Sequence, residues 1–405
     1  MAAEFTTDNR GLMLWPPVRF EKLTWLISEG GDARRSSRDR SYQSAILDPI
    51  ADVSMLIPSD CALISEDVRA AIAQFDVRVG DTLAPLERLL VRIEASASSR
   101  IENVAASIPD LLMAEIGDEM GRSVADVIGN VEATAAAIEL SDDITPHTIL
   151  DVHRALLRDT HPVLAGKWRT DPVWIGSYSA GPPGATFVPP AADRIPDAIE
   201  DLCEFMNRTD IPVFIQAMLM HAHFETIHPF PDGNGRVGRA LIHALLRRDG
   251  LTKAATLPIS AGIVSQKHRY IEALTEYRSG DFVPIVELGA DATFAALRSA
   301  SMLFDDVEVI VNGWRTVADS VRADSVIHPI IDTLLAHPIV DVKSLSDELD
   351  ASPSSVGGAI RQLADLGVLQ ALDPTAQRGQ RWGAHEVIRV LNAFTSRSIN
   401  PFGRH

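Results

Sequence analysis

The sequence predicts a mainly α-helical protein of more than one domain, and three observations support this. The chain has 405 residues, and at about 150 residues per domain this length predicts roughly two or three domains. Apolar residues recur at helical spacing through long stretches after residue 81. Proline and glycine, which interrupt helices, cluster between residues 168 and 190. We therefore expect helical domains with one short β-capable insertion.

Composition and charge exclude several classes of protein. Apolar residues make up 46% and charged residues 23% of the chain, which is typical of well-packed soluble domains. The net charge of -18 argues against a protein that covers its whole surface with nucleic acid or anionic lipid. Two cysteines, Cys61 and Cys203, are too few for a disulfide scaffold or a four-cysteine zinc site. Met1–Trp25 lacks the pattern of a signal peptide and no stretch of roughly 20 apolar residues occurs, so we expect a cytoplasmic protein without a membrane partner.

Taken in chain order, the pattern divides the sequence into five segments. Residues 1–80 are mixed in pattern and their role is not predicted, whereas 81–110 has the apolar spacing of a helix. Residues 111–300 are predicted to form one helical domain, in which Thr145 and Pro146 begin a helix as N-cap and first residue. Within it, Val173–Ser177 and Thr186–Val188 predict a small β-hairpin. Residues 301–325 are expected to be a linker helix.

The last segment, 326–405, resembles an independent winged helix-turn-helix domain. The predicted elements are three helices and a wing, at Ile327–His337, Lys343–Leu349, Ser352–Leu366 and Gln370–Trp382. Seven Lys and Arg stand against eight Asp and Glu here, which is a poor footprint for DNA. Only Arg361 lies in the predicted recognition helix, with Arg378 and Arg381 in the wing. Contact with protein is therefore favoured, and DNA binding stays open.

The most informative stretch is His-Pro-Phe-Pro-Asp-Gly-Asn-Gly-Arg-Val-Gly-Arg, residues 228–239, between two helices with apolar faces. Gly233 and Gly235 flank Asn234 and let the backbone turn its N–H groups toward one point. The helix that follows adds its positive N-terminal end, so the loop is predicted to bind an anion.

The charged residues of this stretch specify the chemistry further. Arg236 and Arg239 are three residues apart and project from one helix face, where they would grip phosphate oxygens. Asp232 offers a hard oxygen ligand that suits Mg²⁺. His228 supplies an imidazole, the side chain that can take up a proton near neutral pH. Together they predict a site for phosphoryl or nucleotidyl transfer.

Residues 228–239 match the Fic signature at every fixed position, so the chain resembles the Fic family. The similarity extends from about Ser98 to Asp281 and includes Trp174-Ile175-Gly176 and Tyr270-Ile271-Glu272-Ala273-Leu274. The resemblance implies a helical Fic core with a β-hairpin flap. It also implies transfer of AMP from ATP to a Tyr, Thr or Ser hydroxyl of a target protein, including this chain itself.

Roles for single residues follow from the same resemblance. His228 would be the catalytic base, Phe230 the core anchor of the loop, and Asp232 the ligand of Mg²⁺. The phosphates would be bound by Gly233, Asn234, Gly235, Arg236 and Arg239. Ile175 and Gly176 would belong to the flap, whose edge pairs with an extended target segment. For Tyr270 two interpretations stay open, a contact with the nucleotide base or a place in the core.

A second pattern, Ser98-x-x-x-Glu102-Asn103, matches the inhibitory motif that many Fic proteins carry before the core. Ser98 and Glu102 are four residues apart, hence on one face of a helix. The resemblance implies that Glu102 pairs with Arg239 and so displaces the γ-phosphate of ATP. We therefore expect an autoinhibited enzyme.

Alternatives stay open on the sequence alone. The same fold is compatible with removal of AMP from a modified protein, or with transfer of UMP, phosphocholine or phosphate. A non-enzymatic alternative is a nucleotide-sensing regulator whose winged helix binds DNA. A homodimer is also compatible with the resemblance.

Overall fold

The computed structural model describes residues 15–25, 41–80, 84–117, 120–176, 181–253, 255–318, 321–322, 325–375 and 379–399. It is mainly α-helical, which confirms the predicted fold class. The described residues form two compact units. The first unit draws on Met1–Arg69, Glu132–Leu251 and Lys267–Ala290, and the second on Ala70–Val131, Thr252–Gln266 and Asp291–His405.

The elements follow one another along the chain as β1 (Arg19–Thr24), β2 (Ser41–Ile46), α1 (Ser59–Val79), α2 (Ala84–Ile101), α3 (Ile108–Glu115), α4 (Arg122–Glu139), α5 (Pro146–Leu157), α6 (Ile195–Met206), α7 (Val213–Ile227), α8 (Asn234–Arg248), α9 (Ile259–Val264), α10 (Lys267–Arg278), α11 (Val283–Ala318), α12 (Ile327–Ala336), β3 (Ile339–Asp341), α13 (Val342–Leu349), α14 (Pro353–Asp365), β4 (Gln370–Ala371), β5 (Arg381–Gly383) and α15 (His385–Ile399). The strands β1 and β2 pair antiparallel, and β3, β5 and β4 form a small sheet in that order. None of the described helices is both long and apolar enough to cross a membrane.

Helix α7 is the centre of the first unit. It packs against α6, α8 and α10, and nearly every residue along it is buried. A helix that is buried on all sides forms the interior of a domain. The predicted start of α5 is confirmed, since the Thr145 side chain accepts a hydrogen bond from the Thr148 N–H and Pro146 is the first helical residue. Helix α5 buries one apolar face, formed by Ile149, Val152, Leu156 and Leu157.

The first 80 residues hold structure that the sequence analysis did not predict. Strands β1 and β2 form an antiparallel pair from Arg19–Ile46 to Thr24–Ser41. Helix α1 buries five apolar residues at three-, four- and seven-residue spacing, namely Cys61, Val68, Ile72, Phe75 and Val79. That spacing is a helical signal in the sequence. Pro49 and Pro58 interrupt the pattern only before the helix begins.

In the second unit, α2 is fixed by buried charges to the helices around it. Arg92 donates hydrogen bonds to both carboxylate oxygens of Glu115 on α3, at 2.6 Å each, and to the Ala336 carbonyl at 2.7 Å. The Ala336 carbonyl is at the C-terminal end of α12, where helix carbonyls lack partners. Glu94 accepts from the backbone N–H of Ser260 on α9 at 2.9 Å. Helix α2 is therefore held by three neighbouring helices.

The predicted C-terminal helices lie within about two residues of α12, α13 and α14, which is the usual uncertainty of helix ends. Strand β3 and helix α15 were not predicted. Arg378 of the predicted wing lies outside the described residues, whereas Arg381 begins β5. The winged-helix assignment stays a prediction. The predicted domain boundaries also stay predictions. Helix α11 runs without a break through residue 300, where one of these boundaries was predicted.

Gly262 provides a test of the packing in the second unit. A Cβ atom there would lie 2.5 Å from the Ala292 carbonyl oxygen and 2.6 Å from its Cα, so the backbones of α9 and α11 require glycine at this contact. We expect Gly262→Ala to lower the free energy of unfolding by about 1–3 kcal/mol, the usual cost of overpacking. Chemical denaturation measures the change.

Gly313→Ala on α11 is the matched control, because no atom lies within 4 Å of its Cβ position. Replacing glycine inside an uncrowded helix stabilises by about 0.4–1 kcal/mol. Equal effects of the two substitutions would contradict the close approach at Gly262.

Candidate active site

The motif loop, residues 228–233, joins α7 to α8 and is bracketed by two residues in left-handed conformation. His228 ends α7 with a φ of 49°, and its N–H donates to the Phe224 carbonyl at 2.8 Å. Gly233 has a φ of 82°, and a Cβ there would lie 2.6 Å from Leu156 Cδ2. Glycine is thus required at 233 both by conformation and by space.

The side chain of Asn234 closes this loop. Its Oδ1 accepts from the Phe230 N–H and its Nδ2 donates to the Phe230 carbonyl, both at 2.8 Å. Phe230 itself is fully buried and stacks on His153 and Trp168, with ring centroids 3.6 and 4.9 Å away. Asn234 was predicted to bind phosphate. The structure shows its side chain holding the loop, so only its backbone N–H is left for a ligand at this position.

His153 supports the loop and was not singled out in the sequence. Its Nδ1 accepts from the Gly166 N–H at 3.0 Å, so Nε2 carries the proton and donates to the Asp232 carbonyl at 3.1 Å. Burial lowers the pKa of His153 to about 4, which keeps the ring neutral. A histidine on the apolar face of α5, one residue after Val152, was the available signal.

Arg169 is a second residue that the sequence analysis missed. Its Nε donates to the His228 carbonyl at 2.8 Å, its Nη2 to the Ile227 carbonyl at 3.4 Å, and its backbone N–H to the Pro229 carbonyl at 2.9 Å. These carbonyls are at the C-terminal end of α7, where a cation is favourable. The side chain is almost fully buried, and burial lowers its pKa to about 10. Arg169 therefore caps α7 and fixes the turn at His228.

The two motif arginines are buried and each lies near a carboxylate. Arg236 is 4% exposed, and its Nη2 lies 3.2 Å from both oxygens of Asp232, whose side chain is 50% exposed. Arg239 is fully buried and interacts electrostatically with Glu225. Asp232 also accepts from the Gly233 N–H at 2.7 Å. In the structure, carboxylates thus balance the positive charges of Arg236 and Arg239, a role that the sequence analysis assigned to a bound anion.

The imidazole of His228 is backed by Glu225. The His228 Nδ1 atom is buried and lies 3.6 Å from a Glu225 carboxylate oxygen. Burial would raise the pKa of Glu225, but His228, His221 and Arg239 outweigh it and lower this pKa to about 2. The His228 side chain is 21% exposed, so its accessible surface belongs to ring atoms other than Nδ1. This arrangement leaves Nε2 as the nitrogen for proton transfer.

In the part of the predicted hairpin that the structure describes, the strands pair at one antiparallel bridge, between Ile175 and Phe187. The Ile175 N–H donates to the Phe187 carbonyl, and the Thr186 N–H to the Ile175 carbonyl, both at 2.9 Å. Gly176 has a φ of 77°, and its Cβ position is only 2.2 Å from Thr186 Oγ1. The surrounding prolines limit pairing because each lacks an N–H donor. Residues 177–180, including Ser177, lie outside the described residues.

Tyr270 lies in the interior of the first unit. It is buried, and its hydroxyl lies 2.9 Å from His221 Nε2 on α7. The structure thus places this side chain against α7. A contact with the base of a nucleotide stays a prediction.

The predicted inhibitory residues lie at the end of α2 in the second unit. Ser98 is buried, and Glu102, exposed, follows the last helical residue, Ile101. The Val104 N–H donates to the Ser99 carbonyl and the Asn103 N–H to the Arg100 carbonyl, each at 3.0 Å, which is a Schellman ending. Asn103 has a φ of 63°, a conformation that asparagine and glycine tolerate best. Asparagine therefore suits this position at the end of α2. The pairing of Glu102 with Arg239 stays a prediction.

The chain is similar to known proteins over the residues that form this site. Residues 143–246 match the Fic/DOC family, and residues 66–139 match the Fic/DOC family N-terminal region. The sequence is 29% identical over 175 residues to the protein adenylyltransferase Fic of Nematostella vectensis, covering 42% of this chain and 38% of that protein. It is 38% identical over 106 residues to a probable protein adenylyltransferase of Aquifex aeolicus, covering 26% of this chain and 31% of that protein. The match therefore spans less than two-fifths of these relatives.

A solved structure also shares the fold. The crystal structure of a Fic family protein from Desulfovibrio desulfuricans superposes with a TM-score of 0.52 at 23% identity. The likeness covers 81% of this chain and 97% of that chain. It extends beyond the residues that match the family, so the shared architecture is larger than the motif region.

The buried histidines predict how stability depends on pH. Burial lowers the pKa of His153 and His221 to about 4 and that of His223 to about 3. Between pH 6.5 and 4 the unfolded chain binds protons that the folded chain does not, so the free energy of unfolding should fall as pH falls. Each histidine contributes about 1.4 kcal/mol per pH unit in this window. Glu225 extends the same trend below pH 4.5, since its pKa is about 2.

Chemical denaturation between pH 4 and 7.5 measures this slope. His223→Phe should reduce it by about one proton. His147→Gln, at an exposed position on α5, is the control and should leave it unchanged. A slope that is the same in all three proteins would contradict the neutral state of His223.

Proposed function

Because residues 66–139 and 143–246 place this chain in the Fic/DOC family, we propose that it is a protein adenylyltransferase. It transfers AMP from ATP to a Tyr, Thr or Ser hydroxyl of a target protein. The observation that carries this proposal is the motif loop, in which His228 is backed by Glu225 while Arg236 and Arg239 begin the next helix. The curated relatives, named protein adenylyltransferases, support it.

The N-terminal end of α8 would bind the phosphates of ATP. Asn234 and Gly235 present backbone N–H groups there, and the helix dipole favours an anion, whereas a phosphate would compete with Asp232 for the Gly233 N–H. Arg236 and Arg239 would bind the β- and γ-phosphates. Within the described residues, the buried Arg236 Nε has no hydrogen-bond partner, so a phosphate oxygen would satisfy a donor that the folded chain leaves open. The same phosphate would compete with Asp232 for Arg236 Nη2.

His228 would act as the general base. Its Nε2 accepts the proton of the target hydroxyl while that oxygen forms a bond to the α-phosphorus of ATP. The bond from the α-phosphorus to the bridging oxygen breaks, and pyrophosphate leaves with the bonding electrons. The resulting imidazolium is stabilised by the ionised Glu225 carboxylate, 3.6 Å from Nδ1.

Mg²⁺ would bind through Asp232. Its carboxylate is half exposed at the mouth of the loop, next to the proposed phosphate site. Among the described residues no cluster of three or more His, Cys, Asp or Glu side chains is placed to hold a metal. One carboxylate fits Mg²⁺ that shares its coordination with substrate phosphates and water. When bound, the ion neutralises charge on those phosphates.

The bridge at Ile175 and Phe187 is the proposed docking edge for the target. An extended target segment would add to it as a further strand and so bring its hydroxyl to the site. Trp168 and Arg169, a few residues before this bridge, contact the motif loop directly, which ties the flap to the catalytic histidine.

The base role of His228 is tested by two substitutions. His228→Asn and His228→Ala should each reduce incorporation from α-labelled ATP by about 10²–10⁴-fold. Asparagine tolerates the left-handed φ of 49°, whereas alanine adds backbone strain, so the Asn variant separates chemistry from conformation. His147→Ala, an exposed histidine on α5, is the matched control and should retain labelling. Labelling that persists in His228→Asn would remove His228 from the base role.

Autoinhibition by Glu102 is tested in the same assay. Glu102→Gly should raise AMP incorporation by about tenfold or more, which corresponds to about 1.4 kcal/mol of relieved inhibition. Glu102→Gln keeps the side-chain length and tests the charge alone. Glu139→Gln, another exposed glutamate near a helix end, is the control. If Glu102→Gly and Glu139→Gln both label at the wild-type rate, Glu102 does not inhibit.

A further inference from the structure

The N-terminal support, which we define as residues 15–25 and 41–53, lies against the return strand of the flap. The Ala45 N–H on β2 donates to the Val188 carbonyl at 2.9 Å. The buried Ser44 hydroxyl donates to the Pro189 carbonyl at 3.0 Å. Because Phe187 pairs with Ile175, these bonds place β2 on the opposite edge of the return strand. The order across this ribbon is β1, β2, return strand, Ile175.

Side chains hold the same strand from two directions. The Phe20 ring of β1 meets the Phe187 ring edge to face, with centroids 6.4 Å apart. The guanidinium of Arg278, at the end of α10, lies over the Phe187 ring at 3.9 Å from its centroid, within the range of a cation–π contact. Phe187 is buried as a result. The flap residue that pairs with Ile175 is therefore fixed by β1 and α10.

The support is itself anchored at both ends to the helices of the first unit. At its start, the Trp15 N–H donates to the Gly280 carbonyl at 2.7 Å and the Val18 N–H to the Arg278 carbonyl at 2.8 Å. At its end, the N–H groups of Ile50 and Ala51 donate to the Asp201 carboxylate of α6, at 2.7 and 3.0 Å. The strands between these anchors are thus held in place where they contact the flap.

The flap benefits from this support because the pairing among its described residues is small. Those residues form one bridge among prolines, and an isolated two-stranded pair is at best marginally stable in water. The residues of the support lie before the two segments that match the Fic/DOC family. Their hydrogen bonds and ring contact with the flap are therefore made by residues outside those segments.

We infer that the N-terminal support is a positioning element that holds the Ile175 edge in place for an extended segment of the target protein. This inference rests on the proposed function. The support sets how productively a target segment docks, whereas ATP is bound by the motif loop and α8. Loss of a support contact should lower the rate of protein modification and leave the KM for ATP unchanged.

Hydrogen exchange in the full chain tests the structural part without any activity. Ser44→Ala removes the bond to Pro189, and Phe20→Ala removes the ring contact with Phe187 at a half-exposed site that the fold tolerates. Each should speed exchange of the amides in 173–190 by about three- to tenfold, the effect of one net hydrogen bond. Lys22→Ala, exposed on the same face of β1 as Phe20, is the matched control and should not change exchange.

The kinetic part uses self-modification of the Glu102→Gly chain, followed by intact mass with Mg²⁺ and ATP. Adding Ser44→Ala or Phe20→Ala should lower the rate at saturating ATP by about three- to tenfold, with the KM for ATP within about twofold of its parent. Adding Lys22→Ala should change neither value.

The outcomes separate this inference from the proposed function. Unchanged flap exchange in both variants overturns the support, and so does a KM for ATP that rises as much as the rate falls. If no protein in the series gains AMP while flap exchange still rises, the adenylyltransferase proposal fails and the mechanical role of the support stands.

Discussion

The geometry of the site depends on how the C-terminal end of α7 is satisfied. A helix leaves its last carbonyls without partners, and here the chain turns left-handed at His228 inside the protein. The Arg169 guanidinium donates to the carbonyls of Ile227 and His228, and its backbone N–H donates to the Pro229 carbonyl. Its planar group of donors suits this task in a way that the single ammonium of lysine does not. One buried cation thereby fixes the histidine, the loop and the start of the flap.

Around this fixed turn, charge is confined to a few places. His153, His221 and His223 are kept neutral because burial lowers their pKa values. Besides Arg169, whose guanidinium binds backbone carbonyls, the buried positive charge near the loop belongs to Arg236 and Arg239, each near a carboxylate. Such a site is organised before a ligand arrives, so little reorganisation is required when an anionic substrate binds.

The sequence predicts what is local and misses what is tertiary. The glycine at 233, the Thr145-Pro146 helix start and the helices that flank the loop all follow from short-range rules of turn, cap and period. Arg169 and His153 lie 59 and 79 residues from their partners in the loop. Their spacing carries no pattern, and only the folded chain shows that they hold it. The flap was predicted as a hairpin from its β-forming residues. Prolines surround these residues, and the described part of the flap pairs at one bridge.

The N-terminal strands were missed for a related reason. Arg19–Thr24 and Ser41–Ile46 are short and carry many polar residues, so neither has a strong β pattern by itself. They are stabilised by each other and by the return strand of the flap. Pairing with distant residues outweighs weak local preference in such segments.

The left-handed conformation of His228 shows what the turn at the site requires. Within the described part of the chain, three residues other than glycine have positive φ: Asn103, His228 and Asp350. Glycine would adopt the turn at 228 without strain, but it has no group that could accept a proton. The imidazole is kept at a conformational cost of about 1–3 kcal/mol, and the hydrogen bonds of Arg169 and the contact with Glu225 hold the turn in place. Asn103 and Asp350 have the same conformation at the ends of α2 and α13, where asparagine and aspartate tolerate it well. Positive φ alone therefore does not mark a functional residue; at His228 it matters because it is combined with a partly buried imidazole that faces a carboxylate.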